Sequence, residues 1–449
     1  MQAGRGALSV WHGDCISEAA ANCRRIAGPI LATTADMATQ RQSWRTNAGP
    51  LQFPALPVGR FALVSSITEP TSLPLSRPAV TSGRDLVRLG FMPLTDCAPL
   101  VVAEMLGLFR GQGVRVELSQ INAWVALRDR MVIGQLDGGQ MLAPMPIAAT
   151  LGIGSVPREV AVVSVLASQG NTITLGDPLL TEIEAAAPEL AFQRPLPAQA
   201  LAAAIKVRQS KGLEAPILAM VYPFSSHNYL LRHWLASAGI DPDVDVLLRA
   251  VPPSLVADEL AEGRIDGFCA GQPWGSRAVD LRAGQIVLGT GDIWPNHPEK
   301  VLAVSAELLE RAPDAVSGLV AATLQAGAFL ADPANLKQAA KWVHYYALAQ
   351  VPLSVVEQSL ARRLPYGPDE TEQPFAAPNF SPSQSRPYAE HGAWWLRQME
   401  RWGHVKETPP GLVERLWRAD IWQAGATKAG FSVDEATCAP CPDDRNSGQ

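Results

Sequence analysis

The sequence predicts a two-lobed α/β protein, and three observations carry that prediction. Strand-like and helix-like segments alternate from residue 86 onward, the pattern of parallel strands joined by crossover helices. At 449 residues the chain exceeds one ordinary core and suits roughly two to three units. Its 47% hydrophobic and 18% charged content is that of a globular chain with ample apolar material for two cores.

Residues 1–84 mix Thr, Ser, Pro, Gly and Arg without periodicity, close on a turn-rich stretch at 68–78, and read as a flexible extension in which Met37 is an alternative start. Order begins with the alternating strand Leu86-Val87-Arg88-Leu89-Gly90-Phe91. A helix is expected over 97–109, capped by Thr95 or Asp96 and stopped by Gly111 and Gly113, before a second strand over 114–118. That βαβ unit requires parallel strands. Helices at 124–134 and 146–151, a strand edge at 137–142 and a buried strand at 160–166 complete a first lobe over 85–176.

An Ala- and Pro-rich stretch at 177–200 opens the second lobe, 177–300. It continues with strands at 217–222, 246–251 and 267–270 and helices at 227–238 and 255–262. From 301 to 430 the chain reads as a helical return to the first lobe, with helices at 313–330, 335–347 and 354–363 and a Pro-rich loop at 365–387. Pro313 suits a first helical turn, where its missing N–H costs nothing. Residues 431–449 are expected to be a flexible tail, and no internal repeat is visible.

Composition removes several functions. The net charge is −6 and no basic cluster is interleaved with aromatics, which argues against direct nucleic-acid binding. No run approaches the roughly 18 apolar residues of a membrane span. Cys15, Cys23, Cys97, Cys269, Cys438 and Cys441 are sparse, and a reducing compartment is the simpler inference. Cys438 and Cys441 form a CxxC with no second pair at zinc spacing. Arg24-Arg25 precedes an apolar stretch that is short, broken by Pro29 and soon meets Asp36, so the chain is expected to stay in the cytoplasm. GxSxG, HExxH and the Walker phosphate loop are all missing, and the acid pairs Glu182/Glu184 and Asp443/Asp444 read as solvated surface, so no enzyme is predicted.

Four strings narrow the reading: Gly90-Phe91-Met92-Pro93-Leu94-Thr95-Asp96-Cys97-Ala98-Pro99-Leu100, Leu142-Ala143-Pro144-Met145-Pro146, Tyr222-Pro223-Phe224-Ser225-Ser226-His227-Asn228-Tyr229, and Asp266-Gly267-Phe268-Cys269-Ala270-Gly271-Gln272-Pro273-Trp274. With them the chain resembles the nitrate- and bicarbonate-binding (NrtA/CmpA-like) solute receptors of ABC transporters, and their soluble relatives, the NasS-type nitrate/nitrite sensors. The resemblance covers about residues 86–345. It implies a type II periplasmic-binding-protein fold, two α/β lobes hinged about a ligand cleft, and binding rather than catalysis, with no cofactor and no metal. With no export signal, the resemblance points first to a cytoplasmic sensor that controls nitrate assimilation through an RNA-binding antiterminator partner (NasT-like). A transporter's substrate-binding component is the alternative, and an enzyme on the same fold comes third.

Nitrate is a flat monoanion with three acceptor oxygens and no proton, so a pocket for it needs converging donors. Trp124 offers an indole N–H on a rigid plane, and the resemblance places the matching tryptophan in the cleft. Gln169 and Asn171 flank Gly170 just beyond a buried strand, where ligands of open α/β sheets sit. Ser225 or Ser226 can cap a helix whose N-terminus presents His227 and free N–H groups. Lys300 offers the counter-charge, yet Glu299 is adjacent and strand alternation points only one of them inward. An inward Lys300 favours nitrate or nitrite; an inward Glu299 favours a ligand with its own proton, or a metal. Trp274 is expected to line the far wall. A core tryptophan, a polar turn and a surface histidine are the bland alternatives for Trp124, Gln169/Asn171 and His227.

Overall fold

Ten strands build two sheets of matching design. They are β1 (Leu86–Phe91), β2 (Arg115–Gln120), β3 (Gly138–Leu142), β4 (Val160–Ser168), β5 (Asn171–Gly176), β6 (Ile217–Met220), β7 (Leu247–Ala250), β8 (Gly267–Gly271), β9 (Gly284–Gly289) and β10 (Pro298–Ser305). The first sheet runs β2-β1-β3-β10-β4 and the second β7-β6-β8-β5-β9. In each, the sequential strands pair in parallel and the strand arriving from the other lobe pairs antiparallel: β10 against β3 and β4, β5 against β8 and β9. The computed structural model describes residues 86–361, 363–432 and 438–443, all within one compact unit. The expectations for the extension 1–84, for Cys15, Cys23, Arg24-Arg25 and Met37, and for most of the tail lie outside the described residues.

The expected lobe boundaries shift. The chain crosses between lobes at 169–170 and at 290–297, so β5 already belongs to the second sheet and β10 to the first, in place of breaks at 176/177 and 300/301. No strand is expected just after Gln169-Gly170-Asn171, which reads equally as a polar turn, but Asn171–Gly176 is β5 and its threonines are buried. The Ala- and Pro-rich stretch holds the helix Asp177–Ala186 and the start of the helix Ala198–Ser210. The single helix expected over 97–109 is split at Gly107, whose left-handed φ of 69° ends Ala98–Met105 and restarts the chain as Leu108–Gly111.

β4 is a sheet edge, yet all nine residues are buried. The returning chain covers it: Arg418 N–H donates to the Val162 carbonyl at 2.9 Å and Val165 N–H to that of Ser385 at 2.7 Å. Covering an edge removes its free pairing groups from water and from other chains. The helix Pro313–Ala331 is, among the described residues, long and apolar enough to cross a membrane, but it packs between Ala98–Met105 and Ala419–Ala429. Residues 363–387 form a strap rather than a free loop. Ser168 bridges Asn379, Ile286 N–H donates to the Tyr366 carbonyl, and the helix Ala389–Arg401 then packs on the second-lobe helix Ser226–Ala236. Of the tail, Pro442 accepts from Trp394 Nε1 at 3.2 Å, so this part is docked.

Candidate ligand site between the lobes

The helix Ser226–Ala236 starts where β6 ends, and Ser225 caps it by accepting from Asn228 N–H at 3.0 Å. That cap aims Ser226 and His227 across the crevice at β10. Ser226 Oγ donates to Glu299 Oε1 at 2.7 Å, and His227 Nδ1 lies 3.6 Å from the same oxygen. Lys300 Nζ lies 2.7 Å from Glu299 Oε1, 2.9 Å from Asp96 Oδ2 and 5.9 Å from the centre of the Trp124 ring. Trp124, His227, Glu299 and Lys300 are all at most 1% exposed. Trp124 and His227 therefore border the same buried Lys300–Glu299 pair, reached from opposite lobes.

The expectation that only one of Glu299 and Lys300 points inward is corrected. β10 pairs with β4 through register shifts on both sides of Lys300. Such irregularities re-aim side chains, and both residues reach the crevice. Asp96, expected to cap a helix, caps nothing; it accepts from Gln140 Nε2 at 2.5 Å and from Lys300. Gly271 lacks the β-carbon that would sit 3.3 Å from Asp96 Oδ2 and 3.4 Å from Asn171 Oδ1, which lets the polar groups of the two lobes meet.

Two of the expected ligand residues have other work. Gln169, at φ 50°, accepts from Asn296 N–H at 2.9 Å and donates to the Ala377 carbonyl at 3.1 Å, tying both crossings to the strap. Gly170, at φ 94°, lies under Pro378, where a β-carbon would come within 2.5 Å. Their place beyond a strand end is the hinge, not the crevice. Asn171 stays at the crevice, and Trp274 starts a helix next to Gln272, whose carbonyl accepts from Thr95 N–H across the lobes at 2.8 Å.

The electrostatics follow from burial set against charge. Burial pushes the Glu299 carboxyl up, but Lys300, His227 and His297 outweigh it and hold it down at about 2. Burial pulls the Lys300 ammonium down, but Asp96 and Glu299 raise it above its ordinary value. Burial raises the Asp96 carboxyl despite Lys300, and lowers His227 to about 3, so that ring is neutral. Trp124 Nε1, both His227 nitrogens, both Asn171 amide atoms, Trp274 Nε1 and Glu299 Oε2 have no hydrogen-bond partner among the described residues. Buried polar groups are rarely left so, and Trp124 and the His227 ring stand beside the Lys300–Glu299 pair. Among the described residues no group of three His, Cys, Asp or Glu side chains is placed to hold a metal ion.

Asp96 and Gln140 join this cluster although neither is expected as a ligand residue, and Glu299 enters it together with Lys300. The available signal for Asp96 is that it is the one charged residue in the mainly apolar string from Phe91 to Leu100.

Two α/β lobes, two crossings between them and a buried polar cluster at their junction define the architecture. In solved structures the fold matches the periplasmic nitrate-binding protein NrtA from Synechocystis, with a TM-score of 0.71 at 24% identity over 79% of this chain and 92% of that one. It also matches the alkanesulfonate-binding protein SsuA from Xanthomonas axonopodis pv. citri, at TM-score 0.51 and 15% identity over 76% and 99%. The fold is thus the periplasmic-binding-protein one. The chain belongs to the NMT1-like family, whose model matches residues 82–344. It is 30% identical over 357 residues to the nitrate/nitrite binding protein NrtA of Nostoc sp., covering 78% of each. It is 31% identical over 376 residues to the bicarbonate-binding protein CmpA of Synechococcus elongatus, covering 79% of this chain and 81% of that protein. The nitrate import ATP-binding protein NrtC of Synechocystis sp. is 35% identical over 353 residues, and there the chain spans 50% of the relative's length.

Proposed function

We propose that this chain is the substrate-binding component of an anion importer and closes on one small oxyanion, nitrate, nitrite or bicarbonate. The observation that carries the reading is the convergence of unpartnered buried groups, Trp124 Nε1 and the His227 ring, on Lys300 between two lobes. A planar oxyanion's oxygens accept from such donors, and a sealed crevice strengthens each bond by excluding water. Relatives named for nitrate, nitrite and bicarbonate binding support the ligand class.

The same closure serves a sensor, in which the closed surface releases or recruits an antiterminator partner. The relative NrtC is named for nitrate import, so the transport role stands first here and the cytoplasmic sensor second. Cell fractionation separates them. Recovery in periplasm or membrane supports transport, and recovery in the cytosol restores the sensor.

Ligand choice is tested by a thermal-shift panel of nitrate, nitrite, bicarbonate, alkanesulfonate and phosphate. A ligand selective for the folded form raises the midpoint by mass action. The expected result is a rise with one or more of the first three and none with the larger anions. A chain that responds to none of the first three is not a receptor for nitrate, nitrite or bicarbonate.

A further inference from the structure

The crevice holds more negative charge than an anion site should. Lys300 Nζ is flanked by Asp96 Oδ2 at 2.9 Å and Glu299 Oε1 at 2.7 Å, so one ammonium faces two carboxylates. All three residues are at most 2% exposed. A monoanion entering this crevice meets a lysine whose charge is already matched, and an unbalanced buried charge is costly in a medium that screens poorly.

We propose that Asp96 takes up one proton when the oxyanion enters, so that the chain captures a monoanion and a proton together. The inference rests on the anion reading above. The balance is simple: the anion and one proton enter from water, the proton goes onto a carboxylate oxygen of Asp96, and Lys300 turns from Asp96 to the ligand. Asp96 is the suited acceptor for structural reasons. Gln140 Nε2 holds its Oδ1 at 2.5 Å, while Gln140 is itself fixed by accepting from Met92 N–H at 2.9 Å. Oδ2 is the oxygen left to carry a proton once Lys300 turns away.

The surrounding groups do not compete equally. Glu299 is faced by Lys300, Ser226, His227 and His297, with His297 Nδ1 3.6 Å from Oε2, and this company holds its carboxyl down at about 2. His297 Nε2 is engaged with Thr290 Oγ1 at 3.0 Å. The thiols of Cys97, beside Asp96, and of Cys269, in the field of Glu299, are pushed up by burial and stay neutral. Asn171 faces Asp96 across Gly271 and carries no charge. His227 is the rival acceptor, and the test is built to tell it from Asp96.

Nitrate is the probe, because it stays a monoanion throughout and any proton taken up must go to the protein. Calorimetric titration of the full chain in two buffers of different ionisation heat reads protons taken up per nitrate bound. The expected result is about one, with affinity falling about tenfold for each pH unit over which that proton is taken up. Asp96→Asn keeps the size of the side chain and its bond to Gln140, and should bring both the uptake and the pH slope close to zero. Nitrate binding without proton uptake in the wild type overturns the inference and leaves the anion reading standing. Undiminished uptake in Asp96→Asn assigns the proton to His227 and also overturns it. No binding of nitrate overturns the nitrate reading together with this inference.

Discussion

His227 shows how a residue's surroundings decide its use. Its ring is fully buried, both nitrogens lack partners, and burial lowers it to about 3, so at neutral pH it is an uncharged ring with one N–H to give. Trp124 gives another from the opposite lobe. Truncating either, as Trp124→Ala or His227→Ala, is expected to weaken oxyanion binding by about 1–3 kcal/mol through a lost charge-assisted hydrogen bond. Titration calorimetry checks this, and unchanged affinity in both variants rules out the site. Lys300 has a structural part as well. Lys300→Met leaves Asp96 and Glu299 buried without their shared cation and should cost about 3–5 kcal/mol in urea unfolding, as removal of one partner from a buried ion cluster does. Adding Asp96→Asn to that variant should recover part of the loss.

At this scale the sequence was informative about donors and poor about carboxylates. Trp124, His227 and Lys300 stood out because indole, imidazole and ammonium groups suit an anion. Asp before an apolar helix commonly caps it, so the sequence points Asp96 to that role, and only tertiary pairing reveals the other use.

The elements set these side chains by a few local devices. Ser225 fixes where the helix of the second lobe begins, and hence where Ser226 and His227 point. Ser225→Ala should cost about 1 kcal/mol of stability. A larger loss of anion affinity than of stability would show that the cap also positions His227. Helix packing has its own device: a β-carbon on Gly425 would lie 2.5 Å from Val320, so Ala419–Ala429 and Pro313–Ala331 touch closely there. Gly425→Val is expected to destabilise by about 1–3 kcal/mol through overpacking, with ligand affinity unchanged, as thermal melting and calorimetry would show.

Most strands and helices of the first lobe were legible from alternation and helical spacing. The crossings were not. β5 carries threonines where an apolar run was sought, and β10 lies far in sequence from the sheet it completes, a pairing that local periodicity does not encode. The bulged register that turns Glu299 and Lys300 to one side is likewise a property of the β10–β4 pair, not of either strand alone.

At the scale of the whole molecule the lobes are held closed by bonds across the crevice and by a brace behind it. Thr95 N–H donates to the Gln272 carbonyl, Ser226 bonds Glu299, and Arg128 lies 3.3 Å from Tyr222 Oη. Behind the hinge, Asn379 Nδ2 bonds Asn296 Oδ1 at 3.0 Å, and Tyr229 Oη lies 2.8 Å from His404 Nδ1. Closure buries His227 and His297, and that has a signed consequence for pH. Burial lowers them from 6.5 to about 3 and about 4, so the unfolded chain takes up protons first as the medium is acidified. Their contribution is complete above pH 6.5 and is lost as pH falls from there toward about 3. Urea midpoints across that range should decline with acid, and His297→Gln should flatten the decline.

The two-lobed fold was legible because many segments agreed on it, whereas the closed pairing of lobes depends on contacts between residues more than a hundred positions apart, such as Thr95 with Gln272. The central claim is that the ligand is held between Trp124, His227 and Lys300. A crystal structure grown with nitrate, nitrite or bicarbonate tests it most directly. The expected density is a planar three- or four-atom anion within hydrogen-bond distance of Trp124 Nε1 and a His227 ring nitrogen, with Lys300 turned toward it. An anion bound elsewhere, while water alone fills the space between Trp124 and His227, would contradict the claim.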